Sequence, residues 1–198
     1  MIDVQTPDIS FYKSRDVKTP SRGTEDAAGT DFFIPNYSLD FLYDLQEKNK
    51  HNVLSYRIVR AEDAKVEGYP VPDGVSDDQE FLLITIPAGE QVNIPSGIKV
   101  IIGDVNTYLE ANNKSGVATK YHLLNGASVV DYDYRGEIHL NMMNVGNTDV
   151  TLISGQKITQ FIHKVYVHTN WVEVDQATFE GGSETARGAN AFGSTGNV

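Results

Sequence analysis

Apolar side chains recur at every second position along much of this chain, and no other feature restricts its fold more. The alternation is clear at Ile138, Leu140 and Met142. Because successive side chains of a strand point to opposite faces of a sheet, this pattern predicts half-buried β-strands. Residues 81–86 form a β-branched run that ends at Pro87, as a strand does before a turn. The chain is therefore predicted to be all-β, a compact antiparallel barrel or jelly roll. Further strands are predicted at residues 8–13, 97–102, 107–111, 149–153, 157–167 and 171–174.

A different pattern at residues 38–47 predicts a short helix. Ser38 is a suitable N-cap, an acidic first turn follows it, and three leucines then share one face. From this helix to about residue 80 the sequence is polar, apart from an alternating stretch at residues 53–59 and a segment rich in proline and glycine. We interpret residues 36–80 as an insertion on the surface of the barrel.

The length of 198 residues suits one domain with a real core, and we expect the barrel to span residues 1–180. Residues 181–198 contain five glycines and one large apolar side chain, Phe192, so they cannot build a core of their own. We interpret them as a flexible C-terminal arm. It is either a disordered tail or a segment that becomes ordered when a ligand offers it a flat ring and negative oxygens.

The composition excludes several classes of function. Without cysteine, the chain has no disulfide and no thiolate zinc site, and nothing requires an oxidising compartment. The formal net charge of −11 argues against a broad grip on nucleic acid or anionic lipid, because both need a basic surface. Residues 1–7 show neither the basic start nor the apolar stretch typical of a secretory signal, and no apolar run approaches the ~20 residues that span a bilayer, so we expect neither a signal nor a membrane span. We expect a protein of the cytoplasm, or of the host-cell cytoplasm if the chain is viral.

The turn within residues 129–137 holds the densest group of reactive side chains: two aspartates, two phenols and a guanidinium. A carboxylate at the end of a rigid strand, such as Asp131, can orient and deprotonate a water molecule. A neighbouring aromatic ring can pack flat on a sugar. Taken alone, these residues are equally typical of a solvated hairpin tip.

A second polar segment, residues 112–120, combines a glycine, hydroxyls and two cations. Backbone N–H groups around Gly116 can form a concave anion site, with Lys114 as a point charge and Ser115 as a donor. The glycine and lysine spacing of a P-loop is missing and no helix signature follows, which disfavours a P-loop NTPase. The alternative is an ordinary connection between strands.

Two further segments each contain one polar side chain of interest, and the one in the first segment is isolated. Asp31 lies within residues 27–33, and Gln160 lies among apolar residues within 155–162. A satisfied glutamine at a strand end is the simpler interpretation of Gln160 taken alone. The five histidines show no compact ligand pattern, so we expect no zinc site.

Taken together and in order, these segments resemble the five motifs of the trimeric deoxyuridine triphosphatase (dUTPase) family. The order, spacing and content of the segments agree with the motifs, and the resemblance covers nearly the whole chain apart from residues 36–80. We number the motif segments one to five in chain order. They are residues 27–31, 114–118, 125–137, 155–160 and 187–196.

The resemblance implies a dUTPase-type jelly roll that forms a homotrimer, with each of three active sites assembled from pieces of all three subunits. The implied reaction is hydrolysis of dUTP to dUMP and pyrophosphate, which limits uracil incorporation into DNA and supplies dUMP for dTMP synthesis. Asp131 would hold the water that attacks the α-phosphorus. Mg²⁺ would bridge the three phosphates, and Asp31 would touch the water shell of the ion.

The resemblance also implies the substrate contacts. Tyr134 would pack under the deoxyribose and leave no room for a 2′-hydroxyl, while the third-motif backbone and Asn125 would read the uracil edge. Lysine, serine and glutamine side chains would contact the phosphates, and the arm would hold the β and γ phosphates while Phe192 stacks on uracil. The implied substrate-binding residues are Lys114, Ser115, Gly116, Asn125, Val130, Tyr134, Gln160, Arg187, Phe192, Gly193, Ser194 and Thr195.

Some positions depart from the family pattern. Lys114 stands where the second motif usually begins with arginine, and it offers a single charge in place of a bidentate fork. Asn190 and Ala191 stand where the fifth motif generally has glycines, which changes the backbone freedom of the arm. Thr30 replaces a common aromatic residue, and Ser128 replaces a common glycine.

Two other functions are alternatives to dUTP hydrolysis. A dCTP deaminase shares the fold but relies on a glutamate in the strand after the third-motif turn, where this chain has Asn141. An amide cannot shuttle a proton, which argues against deamination. A nucleotide-sensing trimer would instead bind a protein partner through residues 36–80, and this role can coexist with catalysis.

Overall fold

The computed structural model of the chain describes residues 8–182 and 185. Strands dominate it, and the predicted all-β class with a short helix is confirmed. The strands are β1 Ile9–Lys13, β2 Ser21–Arg22, β3 Thr30–Phe33, β4 Ser55–Arg60, β5 Glu80–Ile86, β6 Gln91–Ile102, β7 Thr107–Asn113, β8 Leu123–Asn125, β9 Val129–Val130, β10 Glu137–Asn144, β11 Val150–Ile153 and β12 Lys157–Val165. The helices are α1 Leu39–Lys48, α2 Ala61–Val66, α3 Ser115–Tyr121 and α4 Gln176–Gly182.

The strands form three antiparallel sheets. One has the order β1-β6-β10-β8, the second β2-β3-β12-β7-β9 and the third β11-β5-β4. Strands that neighbour each other in a sheet are mostly distant in sequence, as expected for a jelly roll. The segment from β8 to β9 passes from the first sheet to the second, because β8 pairs with β10 whereas β9 pairs with β7.

The core lies where the inward faces of the strands meet. On β10, Ile138, Leu140 and Met142 are all buried, as their alternation predicts. On β5 the burial is nearly continuous, because the sheet is covered on both faces. The outer face of β5 packs against a second apolar cluster that includes Ala61 and Ala64 of α2.

The segment 36–80 does not lie only on the surface. Helix α1 forms where it was predicted, and its N-cap Ser38 accepts a hydrogen bond from the N–H of Phe41 at 3.2 Å. Phe41 and Leu45 of this helix are completely buried in the main core. The alternating stretch forms β4, which pairs with β5 along its whole length. The expectation of a surface insertion is therefore corrected, since α1 and β4 help to build the barrel.

Three other expectations are corrected. Residues 171–174 form no strand, and Trp171 is 95% exposed, so these residues lack the partner strand that β-structure needs. Strand β6 begins at Gln91, before the predicted start, and continues through Gly97, which has a positive φ of 74°. Lys114 is followed by helix α3 rather than an open loop, and Val117 anchors that helix in the core.

Contacts divide the chain into two compact units, Met1–Tyr166 and Val167–Val198. The second unit contains α4 within its described part. The predicted boundary at residue 180 stays a prediction. No helix among the described residues combines the length and the apolar character that crossing a bilayer requires.

Candidate active site

A buried carboxylate joins three of the motif segments. Asp31 on β3 is only 4% exposed. Its Oδ1 contacts the ammonium of Lys114, and its Oδ2 accepts a hydrogen bond from Nζ of Lys157 at 3.1 Å. A buried charge needs such partners, because burial without them costs several kcal/mol. The first, second and fourth motif segments therefore meet at one acidic residue that holds two cations.

Gln160 lies beside this carboxylate. On β12 it stands opposite Asp31 of β3 on one side and Asn112 of β7 on the other. Its side-chain Nε2 donates to the carbonyl of Asn113 at 2.9 Å. A Cβ added at Gly29 would lie 2.7 Å from Cδ of Gln160, so a larger residue there would push the Gln160 amide out of this position. The glycine of the first motif segment thus makes room for the glutamine of the fourth.

The second motif segment presents an open surface at the start of α3. Ser115 and Gly116 are exposed, whereas Lys114 is largely buried against Asp31. A Cβ at Gly116 would meet no protein atom within 4 Å, and the φ of this residue is not positive. The folded protomer therefore does not require glycine at position 116, and the open space beside it can receive a ligand.

Asn125 has a fixed amide orientation. Its Nδ2 donates to Oδ1 of Asn113 at 3.0 Å, and its Oδ1 accepts from the hydroxyl of Thr159 at 2.7 Å. Thr159 is completely buried, so this hydroxyl has no access to solvent. An amide offers two N–H donors and two lone pairs, and these two bonds leave one of each available. Asn125 can therefore donate and accept one further hydrogen bond.

The third-motif turn exposes both of its predicted functional side chains. Asp131 follows β9 and is exposed, and its carbonyl accepts from the N–H of Tyr134 at 3.1 Å. The Tyr134 hydroxyl donates to the carbonyl of Glu137 at 2.9 Å, while the side chain stays 41% exposed. A Cβ at Gly136 would lie 2.5 Å from Cζ of Tyr134. Glycine at 136 thus allows the ring to fold back over the turn.

The strand register keeps Asp131 away from the lysines. Val130 of β9 stands opposite Leu109 of β7, and the two strands are antiparallel, so Asp131 continues toward the start of β7. Lys114 follows the opposite end of β7, beyond Asn113. From the rise of about 3.4 Å per residue, the two backbones lie on the order of 15–20 Å apart in one protomer. The structure brings Asp31, Lys114 and Gln160 together, but not with Asp131 and Tyr134.

The family assignment follows from comparison with known proteins. A family model described as dUTPase matches residues 82–196, which is more than half of the chain. The chain belongs to the dUTPase family. A deoxyuridine 5′-triphosphate nucleotidohydrolase of Caldanaerobacter subterraneus is 35% identical over 150 residues, covering 71% of this chain and 96% of the relative. Another, from Rickettsia felis, is 37% identical over 115 residues, covering 57% and 74%. The enzyme is thus a dUTP diphosphatase, which confirms the predicted activity.

Solved structures share the fold at low sequence identity. A variant of the dUTPase of Staphylococcus bacteriophage 80alpha with dUpNHpp matches with a TM-score of 0.63 at 16% identity, covering 96% of this chain and 99% of that one. The dUTPase of EIAV matches with a TM-score of 0.52 at 19% identity, covering 85% and 97%. These matches confirm the dUTPase-type jelly roll.

Sequence reasoning missed three residues of this site. Lys157 shares the Asp31 carboxylate with Lys114, and Asn113 and Thr159 hold the amide of Asn125. Lys157 also lines a pocket of about 410 Å³ together with Lys18 and other residues of both signs. The signal for Lys157 was its position as a cation within the fourth motif segment. No sequence pattern marks Asn113 or Thr159, because their roles depend on the pairing of β7 with β12.

Among residues 8–182 and 185, no group of three or more histidine or acidic side chains is placed to hold a metal ion. Mg²⁺ seldom needs such a group, because it keeps several waters and is usually bound by one or two carboxylates together with substrate phosphates. The two lysines occupy two of the roughly four lone-pair sites of Asp31, so this carboxylate can still accept from a metal-bound water. The residues present therefore fit a magnesium ion carried mainly by the nucleotide.

Five predicted contacts lie outside the described residues. They are Arg187, Phe192, Gly193, Ser194 and Thr195 of the fifth motif segment. The family match extends to residue 196 and so includes this segment.

Proposed function

We propose that this enzyme hydrolyses dUTP with Asp131 as general base, in active sites shared between the subunits of a homotrimer. The observation that carries this proposal is the register of β9 on β7, which separates Asp131 from Lys114. Neighbouring phosphates of one dUTP lie only a few ångströms apart, so one protomer does not offer both residues to the same substrate. A neighbouring protomer supplies the second group, as closed cyclic symmetry allows.

The exposed carboxylate of Asp131 accepts a proton from the attacking water. The water oxygen forms a bond to the α-phosphorus, and the bond from the α-phosphorus to the oxygen that bridges the α and β phosphates breaks. Pyrophosphate leaves with that electron pair, and dUMP carries the new oxygen. Asp131 needs no covalent contact with substrate, so its contribution is the orientation of the water and the removal of its proton.

The base and sugar lie along the third motif segment in this proposal. The ring of Tyr134 supports the deoxyribose and excludes a 2′-hydroxyl, and its exposed face is available for that contact. The backbone at Val130 and the free donor and acceptor of Asn125 read the uracil edge. Uracil needs both a donor and an acceptor from the protein, and Asn125 retains one of each.

The triphosphate approaches the Asp31 cluster of another protomer. Lys114 and Lys157 provide positive charge there, while Ser115, Gly116 and Gln160 supply hydrogen bonds and open space. Asp31 would hold a bound magnesium ion through the water shell of that ion. When bound, Mg²⁺ neutralises charge on the phosphates. The lysines offset the overall acidity of the chain at this one place, which a trianionic or tetra-anionic ligand requires.

The arm completes the site in this proposal. Arg187, Ser194 and Thr195 hold the β and γ phosphates, Gly193 allows close approach of the backbone, and Phe192 stacks on uracil. The inclusion of these positions in the family match supports their role.

Deamination of dCTP is less well supported. Asn141 stands at the position where a deaminase would need its glutamate, and its Oδ1 accepts from the N–H of Ala127 at 3.1 Å. A Cβ at Gly126 would lie 3.1 Å from Cγ of Asn141, so the amide is packed tightly under the hairpin. The Asn141 side chain thus holds the backbone of the third motif segment, which we propose reads uracil, and it offers no titratable group.

A protein partner for residues 36–80 is a second proposal that does not compete with catalysis. Leu39 and Tyr43 of α1 are large apolar side chains that remain exposed while the opposite face of the helix is buried.

We place the enzyme in the cytoplasm, or in the host-cell cytoplasm if it is viral, and expect no nucleic-acid or membrane partner given its net charge.

The experiment that tests the proposal measures pyrophosphate release with Mg²⁺ from dUTP, dCTP, dTTP and UTP at equal concentration. Asp131→Asn should lower kcat for dUTP by about 10²–10⁴-fold, the range typical of a general base, with little change in the Kd of dUpNHpp. The matched control is Asp133→Asn, an exposed carboxylate of the same turn, which should retain most activity. A wild-type enzyme that prefers another nucleotide would contradict dUTP as the substrate. Equal losses of kcat in Asp131→Asn and Asp133→Asn would contradict Asp131 as the general base.

A further inference from the structure

Glu137, at the base of the third-motif turn, is held by an arginine from near the start of the chain. Nε of Arg15 donates to Oε1 of Glu137 at 2.8 Å, and Nη2 donates to Oε2 at 3.0 Å. The N–H of Gly97 donates to the same Oε1 at 2.6 Å. Both side chains of the pair are largely buried, at 16% and 14% exposure. A bidentate, charge-assisted pair of this kind fixes geometry as well as adding stability.

This pair sits where the β-ladder is irregular. Strand β10 pairs Glu137 with Lys99 and His139 with Pro95 of β6, so the register shifts between the two pairs. Proline has no N–H to donate, and regular ladder bonds therefore hold the start of β10 weakly. The side-chain contacts of Glu137 take over that task. Its carbonyl in turn accepts the hydrogen bond from the Tyr134 hydroxyl.

The same arginine reaches the segment 36–80. Nη2 of Arg15 also contacts the carboxylate of Asp44 on α1, and that side chain is half-exposed. The helix itself is anchored by Phe41 and Leu45 in the core. A continuous series of contacts thus runs from α1 through Arg15 and Glu137 to the ring of Tyr134.

We propose that Arg15 is a positioning residue for Tyr134, and that it couples helix α1 to the third-motif turn. The proposal rests on the role given above to Tyr134 at the deoxyribose. Arginine suits this task because its planar fork binds both carboxylate oxygens at once and still offers an N–H to Asp44. Lysine at position 15 would keep the charge but lose the fork.

The test compares three variants that interrupt the series at different points. Arg15→Lys removes the fork, Glu137→Gln removes the charge, and Asp44→Asn weakens only the link to α1. The matched control is Arg57→Lys, because Arg57 makes a similar two-point pair with Glu67 and lies on β4, in a sheet that contains neither β9 nor β10.

The primary readout is ¹⁹F NMR of protein labelled with 3-fluorotyrosine, with the Tyr134 resonance assigned through Tyr134→Phe. This resonance should shift or broaden in Arg15→Lys and Glu137→Gln, move less in Asp44→Asn, and stay in place in Arg57→Lys. In the first two variants KM for dUTP should rise and the preference for dUTP over UTP should fall by about tenfold, with a smaller change in kcat. An unmoved Tyr134 resonance in Arg15→Lys and Glu137→Gln would overturn the proposal.

The two readouts separate this proposal from the one on which it rests. A Tyr134 resonance that moves while the preference for dUTP over UTP is unchanged supports the positioning by Arg15 and contradicts the sugar contact of Tyr134. If Glu137→Gln unfolds, Asp44→Asn remains informative, because its exposed side chain is not part of the core. A Tyr134 resonance that responds equally to Arg57→Lys would overturn the coupling.

Discussion

Replacement of Gly136 by alanine should displace Tyr134 from the proposed sugar site. A Cβ at this position would lie 2.5 Å from Cζ and 2.9 Å from Cε2 of the ring. The ring must withdraw by about 0.9 Å to reach an ordinary contact of 3.4 Å. That movement stretches the 2.9 Å bond from the Tyr134 hydroxyl to Glu137 beyond the range of a hydrogen bond.

The expected effect on activity is much larger than the effect on stability. Loss of one partly exposed hydrogen bond should lower the free energy of unfolding by about 1 kcal/mol. A misplacement of about 1 Å in a group that positions substrate can lower the rate by about 10²-fold. We therefore expect kcat/KM for dUTP to fall by about 10²-fold in Gly136→Ala, and the preference for dUTP over UTP to fall with it.

The assay is steady-state pyrophosphate release from dUTP and UTP, with the melting temperature measured in parallel. Tyr134→Phe is the comparison, since it removes the hydroxyl without adding the clash at position 136, and it should lose less activity than Gly136→Ala. Wild-type kcat/KM and wild-type nucleotide preference in Gly136→Ala would refute the argument that this glycine exists to accommodate the ring.

Three further predictions address the core, the phosphate region and the effect of pH. Leu45→Ala should lower the free energy of unfolding, measured by urea titration, by about 2–5 kcal/mol, because the side chain is completely buried. Leu39→Ala on the exposed face should change it by less than about 0.5 kcal/mol. Equal effects of the two substitutions would contradict the packing of α1. Gly116→Ala should leave the melting temperature nearly unchanged but raise KM for dUTP about tenfold, since the methyl group meets no protein atom and occupies the proposed phosphate space; an unchanged KM would remove position 116 from the site. Burial lowers the pKa of His139, although Glu137 opposes the shift, so below the ordinary pKa of about 6.5 the unfolded chain binds the proton more readily. The melting temperature should therefore fall as pH decreases through 6.5, and the contribution of His139 to this fall should level off below its folded pKa. The melting temperature of His139→Gln should fall less steeply with decreasing pH. An equally steep fall in wild type and His139→Gln would contradict this argument.

Local patterns carried the predictions that were confirmed. The alternation of β10 and the N-cap of α1 are properties of a single element, and both appear in the structure, whereas the predicted leucine face is only partly right because Leu45 is buried and Leu39 is exposed. The burial of both faces of β5 depends on β4 and α2, which no local pattern reveals. The missing strand at residues 171–174 shows the opposite case, since β-propensity without a neighbouring strand leaves the backbone unpaired.

The site was predictable in content but not in arrangement. The motif segments supplied Asp31, Lys114 and Gln160, and the structure brings these three together. Their mutual contacts, and the parts played by Lys157 and Thr159, depend on how β3, β7 and β12 pair. The separation of Asp131 from Lys114 also depends on the register of β9 on β7, and no local sequence pattern fixes that register.

The shared active site is tested most directly by mixing two inactive variants. Asp131→Asn removes the proposed base and Lys114→Met removes a proposed phosphate contact, while Lys157 still partners Asp31. The two chains carry different affinity tags, and mixed trimers are isolated by two successive purifications. If Asp131 and Lys114 of different subunits form each site, every mixed trimer contains one intact site, and its kcat for dUTP should recover to about one third of wild type. Mixed trimers no more active than either variant alone would contradict the account.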